Sequence, residues 1–165
     1  QRINETMEAA LENNEFKVYY QPKHETITGK IVGAEALVRW IHPEYGFMSP
    51  GEFIPLFEKN GFITKLDLYI LEQVCKDIQR WKKKRYPFVP VSVNVSRRDF
   101  LEAGCIDKQV QIIDGYGIEH AYIHMEVTES LYSENTEIII SQLKKVQENC
   151  NRLLTFSALD FMHFV

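Results

Sequence analysis

The chain has 165 residues, enough for one domain with its own hydrophobic core. With 45% hydrophobic and 25% charged residues, its composition is that of an ordinary globular protein. The net charge of −4 argues against a DNA- or RNA-binding surface, and no apolar run reaches the roughly 18 residues of a membrane span. We therefore expect a cytoplasmic domain without direct membrane insertion, although a parent protein with a membrane tether is compatible with this. Cys75, Cys105 and Cys150 are far apart, so we expect free thiols.

The first elements are a helix and two strands. Met7, Ala10 and Leu11 have helical spacing and predict the end of a lead-in helix, so residues 1–15 form a linker and residues 16–165 the domain. Residues 16–21 read as a strand stopped by Pro22, and residues 31–40 as a second strand. The turn between them indicates that the two strands are antiparallel neighbours.

Two helices follow. Ser49 can cap a short helix that ends at Gly61, since Glu52 can reach back to the cap amide and glycine suits the left-handed position. Thr64 repeats the capping pattern, with Asp67 as part of the cap, and opens a long helix that runs into basic residues 82–85.

The rest of the chain alternates strands with helices. Strands are predicted over residues 89–95, 121–127 and 152–156, and helices over residues 106–116 and 134–148, with a cap at Ser96. Helical crossovers join parallel strands, so the fold class is α/β, either a barrel or an open sheet.

Polar residues interrupt the apolar strands with period two. Glu35 and Arg39 face away from Ala36, Asn94 alternates with valines, and Glu126 alternates with Met125. Strands linked by helices are usually buried on both faces, so three oxygen donors, Glu35, Asn94 and Glu126, would converge. A hard cation such as Mg²⁺ or Mn²⁺ would compensate the negative charge of the buried carboxylates. The alternative is that the three side chains are separate hydrogen-bonded polar groups.

Five short motifs stand in a fixed order along the chain. They are Tyr20-Gln21-Pro22, the segment 33–40 with Glu35-Ala36-Leu37, the segment 49–55, Val93-Asn94-Val95-Ser96 and Glu126-Val127-Thr128-Glu129. In this order and at these separations they resemble the opening of an EAL domain, over about residues 16–149.

The resemblance implies a TIM-like (β/α)₈ barrel with an antiparallel first strand. It implies hydrolysis of cyclic di-GMP to linear pGpG with two Mg²⁺ or Mn²⁺ ions. Glu35, Asn94 and Glu126 would then be metal ligands with catalytic roles. Gln21, Leu37 and Arg39 would contact the substrate, and Glu129 would anchor the loop after the fourth strand. The resemblance also suggests a homodimer and an upstream GGDEF or sensory domain as partners.

The resemblance weakens near the end of the chain. The family has Asp-Asp-Phe-Gly and Lys-x-Asp motifs downstream, and neither is intact here. Asp160-Phe161 could be a remnant of the first, or Ala158-Leu159-Asp160 could stand at the second. The second alternative, which we favour at this point, implies a segment missing after about Asn151. We therefore predict an apparently incomplete barrel with little or no activity of its own.

Two alternatives to a phosphodiesterase stay open. One is a catalytically inactive EAL module that binds cyclic di-GMP or a protein partner. The other is a structural α/β fragment without a ligand. His120 and His124 also have zinc-like spacing, but they flank a predicted strand and are not expected to bind metal.

Overall fold

The computed structural model describes residues 2–127, residues 141 and 144, and residues 155–158. In chain order its elements are α1 (Arg2–Glu12), β1 (Phe16–His24), β2 (Ile31–His42), β3 (Gly46–Met48), α2 (Pro50–Asn60), α3 (Ile63–Lys84), β4 (Val91–Val95), α4 (Arg97–Leu101), α5 (Cys105–Gly115), a 3₁₀ turn (His120–Tyr122), β5 (Ile123–Val127) and β6 (Thr155–Ala158). Among the described helices, none combines the length and the apolar character that a membrane span requires.

The strands form one open mixed sheet in the order β1-β2-β4-β5-β6. β1 pairs antiparallel with β2, and β2, β4, β5 and β6 are parallel neighbours, while β3 pairs antiparallel with the end of β2. The predicted α/β class and the antiparallel first strand are therefore confirmed. The described strands do not close into a barrel, so the full barrel stays a prediction.

The helices cover one face of this sheet, where the core is aromatic. Phe16 of β1 and Trp40 of β2 lie with ring centroids 4.8 Å apart, and both rings contact Phe53 and Phe57 of α2. All four side chains are fully buried. The Trp40 indole N–H donates to Glu15 Oε2 over 2.9 Å, which satisfies the only polar atom of that side chain.

The first strand is longer than predicted. It continues through Pro22 to His24, so the prediction that Pro22 stops it was wrong. A proline removes one backbone donor, which a central strand tolerates badly. Within the described sheet β1 pairs with β2 alone, and such an edge strand can accept a proline. The extension adds Lys23 to the strand.

The second helix matches its prediction, and the start of the third does not. The Ser49 N–H donates to Glu52 Oε2 over 2.7 Å, and Gly61 closes α2 with a φ of 87°. However, α3 begins at Ile63 with Phe62 at the cap position, so Thr64 lies inside the helix. The predicted cap at Thr64 and Asp67 was therefore wrong, and the Asp67 carboxylate instead accepts a hydrogen bond from the Ser96 N–H.

Smaller shifts affect the other boundaries. β2 continues to His42 because its end pairs with β3, a strand the sequence did not predict. β4 begins at Val91, and β5 begins at Ile123 because the preceding residues form the 3₁₀ turn. The predicted strand at 152–156 appears as β6, Thr155–Ala158. Glu129, Cys150 and Asp160, and almost all of the predicted helix at 134–148, lie outside the described residues.

The lead-in helix and the two described cysteines belong to the core. Ala10 of α1 is fully buried in the same cluster as Phe16 and Trp40. Cys75 and Cys105 are buried free thiols, as predicted. Burial, first of all, raises the pKa of each thiol to about 12, so both stay protonated and unreactive at neutral pH.

Candidate functional site

Polar side chains share the sheet face opposite the helices, which we call the site face. Strand register aligns them: Gln21 lies opposite Glu35, Glu35 opposite Ser92, and Asn94 opposite Glu126. Residues that are register partners project to the same face of a sheet. The structure therefore brings the three predicted metal ligands onto three adjacent strands.

Two of these ligands are joined directly. The Asn94 side-chain amide donates from Nδ2 to Glu35 Oε1 over 3.1 Å. That bond leaves Asn94 Oδ1, the atom that a metal would use, directed away from Glu35 Oε1. Asn94 is exposed and Glu35 is half-buried. Both side chains can therefore be reached from solvent.

Glu126 lies deeper, and its two oxygens differ. The residue is only 4% exposed, and its Oε1 forms an ion pair with the Lys23 ammonium. Lys23 Nζ also donates to Ser92 Oγ over 3.0 Å. Glu126 Oε2 is buried and has no hydrogen-bond partner among the described residues. A buried carboxylate oxygen without a partner is costly, so this atom can readily accept a cation or a donor.

His124 stands beside this ion pair on β5. It is half-buried and lies opposite Ser92 in the strand register. Burial is the largest cause that lowers its pKa; the Glu126 carboxylate acts in the opposite direction, and the Lys23 ammonium lowers the pKa further. His124 is therefore neutral at pH 7 and can donate or accept a hydrogen bond.

The predicted substrate contacts extend along the site face. Arg39 lies four residues beyond Glu35 on β2, about 13 Å along the strand. Its Nη1 donates to the Val38 carbonyl over 2.8 Å. Leu37 is half-buried, and Gln21 is exposed on β1. The guanidinium is thus on the same face as the carboxylates but separate from them.

The sequence missed Lys23, Ser92 and His124 as members of the site. Lys23 continues the two-residue alternation of Lys17, Tyr19 and Gln21, which is the signal that could have identified it. Pro22 obscures that signal, because a proline usually ends a strand.

The residues fit a divalent cation by the chemistry of their donors. Carboxylate and amide oxygens are the ligands that Mg²⁺ and Mn²⁺ prefer, and Glu126 Oε2 lacks any other partner. Among the described residues, no three His, Cys, Asp or Glu side chains lie close enough together to hold an ion by themselves. Asn94 supplies the amide oxygen, and Lys23 supplies positive charge where a cation would also neutralise Glu126.

Comparison with known families shows to which family the chain belongs. The model of the EAL domain matches residues 4–156. The chain belongs to the EAL domain family. Relatives include cyclic di-GMP phosphodiesterases of Pseudomonas aeruginosa. The chain is 33% identical over 137 residues to the bifunctional diguanylate cyclase/cyclic di-GMP phosphodiesterase MucR. The match covers 81% of this chain and 20% of MucR.

A second relative and two solved structures agree with this assignment. Cyclic di-GMP phosphodiesterase NbdA of P. aeruginosa is 29% identical over 147 residues, which is 89% of this chain and 19% of NbdA. The MucR phosphodiesterase in complex with c-di-GMP superposes with a TM-score of 0.87 at 28% identity, covering 100% of this chain and 66% of that one. The Xanthomonas citri FimX EAL domain, at 18% identity, has the same fold with a TM-score of 0.76 over 89% of this chain and 56% of its own. The chain thus spans about a fifth of the length of MucR and of NbdA.

Proposed function

We propose that this EAL domain hydrolyses cyclic di-GMP to linear pGpG with the help of divalent metal ions. The observation that carries the proposal is the buried Glu126, whose Oε2 has no partner among the described residues, on the strand beside Asn94. A domain that only packs against other proteins has no need for such a carboxylate. The MucR relationship supports the choice of ligand, since its solved structure is a c-di-GMP complex.

Glu35, Asn94 and Glu126 would hold the metal. Two Mg²⁺ or Mn²⁺ ions, when bound, would polarise the phosphate and lower the pKa of a water molecule. For Glu126 to use both oxygens, Lys23 must withdraw from Oε1. Lys23 is more than a third exposed, so its side chain has solvent to move into.

Substrate contacts would come from the same face. The Arg39 guanidinium suits a phosphate oxygen pair, because its donors form a fixed planar fork. Gln21, exposed opposite Glu35, would contact a guanine edge, and Leu37 would pack against the ligand. Glu129 would anchor the loop after β5. A cytoplasmic location follows from the proposed ligand, a bacterial second messenger.

A second candidate function is binding of cyclic di-GMP without cleavage. The observation in its favour is that no three His, Cys, Asp or Glu side chains among the described residues lie close enough together to hold an ion. A homodimer and a GGDEF or sensory domain in the same protein would be partners under either function. The two functions differ in metal dependence, because a sensor does not need a metal to hold its ligand.

Calorimetry separates the candidates. Cyclic di-GMP is titrated into the 165-residue chain with MnCl₂ or with EDTA. We expect binding that Mn²⁺ strengthens at least tenfold, with the metal-dependent gain lost in Glu126→Gln. Glu44→Gln is the matched control, since Glu44 is exposed and lies outside the site face. Equal binding in EDTA would favour the sensor, and no binding under either condition would contradict both functions.

A further inference from the structure

A buried polar cluster lies behind the site face, between α3, α4 and α5. We call it the carboxyl pair, and it consists of Asp67 on α3 and Asp99 on α4. The Ser96 N–H lies between them: it donates to Asp67 Oδ2 over 3.3 Å and to Asp99 Oδ2 over 3.2 Å. Two carboxylate oxygens that share one donor must lie close together, where two negative charges repel each other.

No counter-charge accounts for this arrangement. Neither carboxyl takes part in an ion pair within the part of the chain that the structure describes. Asp99 is completely buried, and Asp67 is half-buried. Burial first, and then the neighbouring Asp99 carboxyl, raise the pKa of Asp67 well above its usual range.

The cluster also has fewer hydrogen-bond donors than acceptors, even with the Cys105 thiol hydrogen-bonded to Asp99. Gln109 of α5 donates from Nε2 to Asp99 Oδ2 over 3.2 Å. Asp99 Oδ1 and Gln109 Oε1 are both buried and have no partner among the described residues. An excess of acceptors over donors around two carboxyls is relieved if one of the two is protonated, because the acid form adds one donor and removes one charge.

The other titratable and charged groups near the carboxyl pair come from the three helices packed around it. α5 contributes the Cys105 thiol, whose pKa of about 12 reflects burial first and then Asp99, so it stays neutral. Glu102, which directly follows α4, also raises the pKa of that thiol through its negative charge. Arg98 of α4 has its guanidinium against Gly61, at the end of α2. α3 contributes Asp67 itself.

We propose that Asp67 and Asp99 hold one proton between them and act as a positioning pair, which fixes the Ser96 amide and so the end of β4 that carries Asn94. Ser96 follows Asn94 by two residues and caps α4, since its hydroxyl accepts from the Asp99 N–H over 3.3 Å. The pair therefore joins the strand end, the cap and the long helix α3 at a single backbone amide. The role for Asn94 rests on the proposed function; the shared proton does not.

The protonated pair sets a direction for pH dependence. A carboxyl whose pKa is raised by folding stabilises the folded state fully below its ordinary pKa of about 4. That contribution is lost as the pH rises through the raised pKa. In that window the folding equilibrium constant falls by up to about tenfold per pH unit.

The test compares Asp67→Asn with Asp77→Asn, a carboxylate on the same helix that bonds Tyr20 and Arg80 instead. Urea unfolding and the Ser96 amide resonance are followed from pH 4 to pH 9 in the 165-residue chain. The amide side chain replaces the proton, so we expect Asp67→Asn to fold, to lose the stability decrease at rising pH, and to abolish the pH titration of the Ser96 resonance. Asp77→Asn should keep both.

Three results would overturn the proposal. The first is a stability that depends on pH in the same way in Asp67→Asn and in the wild type. The second is a Ser96 amide resonance that does not titrate in the wild type. The third is a stabilisation by CaCl₂ or KCl that Asp99→Asn removes. The last would indicate a bound cation in place of the proton. In the same samples, Mn²⁺-dependent binding of cyclic di-GMP should weaken about three- to tenfold in Asp67→Ala but not in Asp67→Asn. Loss of that binding in the wild type would contradict the proposed function and leave the shared proton supported by the pH data.

Discussion

Lys23 and Glu126, which are 103 residues apart in sequence, form an ion pair across the site face. The lysine lies on β1 and the glutamate on β5, and the ammonium passes Ser92 of the intervening β4 on the way. The contact provides the positive charge that a buried carboxylate needs, and it does so at the position where the proposed metal ions would provide it.

Replacing this lysine should make folding depend on metal. In Lys23→Met, Glu126 stays buried without a counter-charge, so we expect the free energy of unfolding to fall by about 1–2 kcal/mol in EDTA. MnCl₂ should restore most of the loss. Urea unfolding with and without the metal measures both effects. Lys17→Met is the control, since Lys17 is exposed on the same strand and face. Equal loss with and without Mn²⁺ would show that Lys23 and the metal do not act on the same carboxylate.

Taken alone, the 165 residues should turn over cyclic di-GMP far more slowly than the MucR phosphodiesterase, whose solved structure they cover to 66%. Among the described residues no three His, Cys, Asp or Glu side chains lie close enough together to hold an ion, so we expect a low rate. Chromatography of the nucleotide products after incubation with Mn²⁺ measures pGpG directly. A rate of pGpG production equal to that of MucR, abolished by Glu35→Ala, would contradict this prediction and would show that the present residues suffice.

Substitution of Gly61 should destabilise the fold, although Gly61 is not part of the site face. Its φ of 87° is left-handed, and an added Cβ would lie 2.8 Å from Nη2 of Arg98. We expect Gly61→Ala to lower the free energy of unfolding by about 1–2 kcal/mol. Gly51→Ala is the matched control in the same helix, where the nearest atom is 3.8 Å away and alanine should stabilise by up to about 1 kcal/mol. Thermal unfolding of both variants decides; equal effects would argue against backbone strain.

The hydrogen bond from Tyr116 should make stability at acid pH depend on the protonation of Glu72. Its hydroxyl donates to Glu72 Oε1 over 2.6 Å and is the largest cause that lowers the pKa of Glu72, followed in the same direction by Lys76. A lowered carboxyl pKa gives stability that is present above the ordinary pKa and is lost as the pH falls. Tyr116→Phe should therefore raise the pKa of Glu72 and cost less than about 1 kcal/mol at pH 7, because Glu72 is 40% exposed.

Carboxyl resonances followed by NMR between pH 2 and pH 7 measure this change. Tyr122→Phe is the control, since the Tyr122 ring contacts Lys82 and lies away from Glu72. If Glu72 titrates identically in Tyr116→Phe and the wild type, the hydrogen bond does not form in solution.

Much of the fold could be predicted from the sequence because its signals are local. A period of two residues is enough to predict that Glu35 and Arg39 lie on the opposite face of β2 from Ala36 and Trp40. The preference of glycine for a positive φ is enough to predict that α2 ends at Gly61. The start of α3 failed for the opposite reason. Asp67 has the spacing of a local cap, but its carboxylate pairs with an amide 29 residues away, which no local pattern records.

The same distinction separates the parts of the candidate site. Glu35, Asn94 and Glu126 could be named because each interrupts an apolar strand and stands in a family motif. Lys23 could not, because its role depends on the length of a side chain that spans two strands to reach Glu126. The family match continues to residue 156 and β6 pairs directly with β5, but Asp160 lies outside the described residues, so both alternatives for Asp160 stay predictions.

β2 carries both a proposed metal ligand and an anchor of the aromatic core, and this has a consequence for evolution. Glu35 and Trp40 are five residues apart on opposite faces of one uninterrupted strand. A single inserted or deleted residue between them would turn either the carboxylate into the core or the indole into solvent. The register of the proposed metal ligand is therefore inherited together with the ability to fold. Point substitutions can silence this site in a lineage, but a length change in β2 would remove the domain itself.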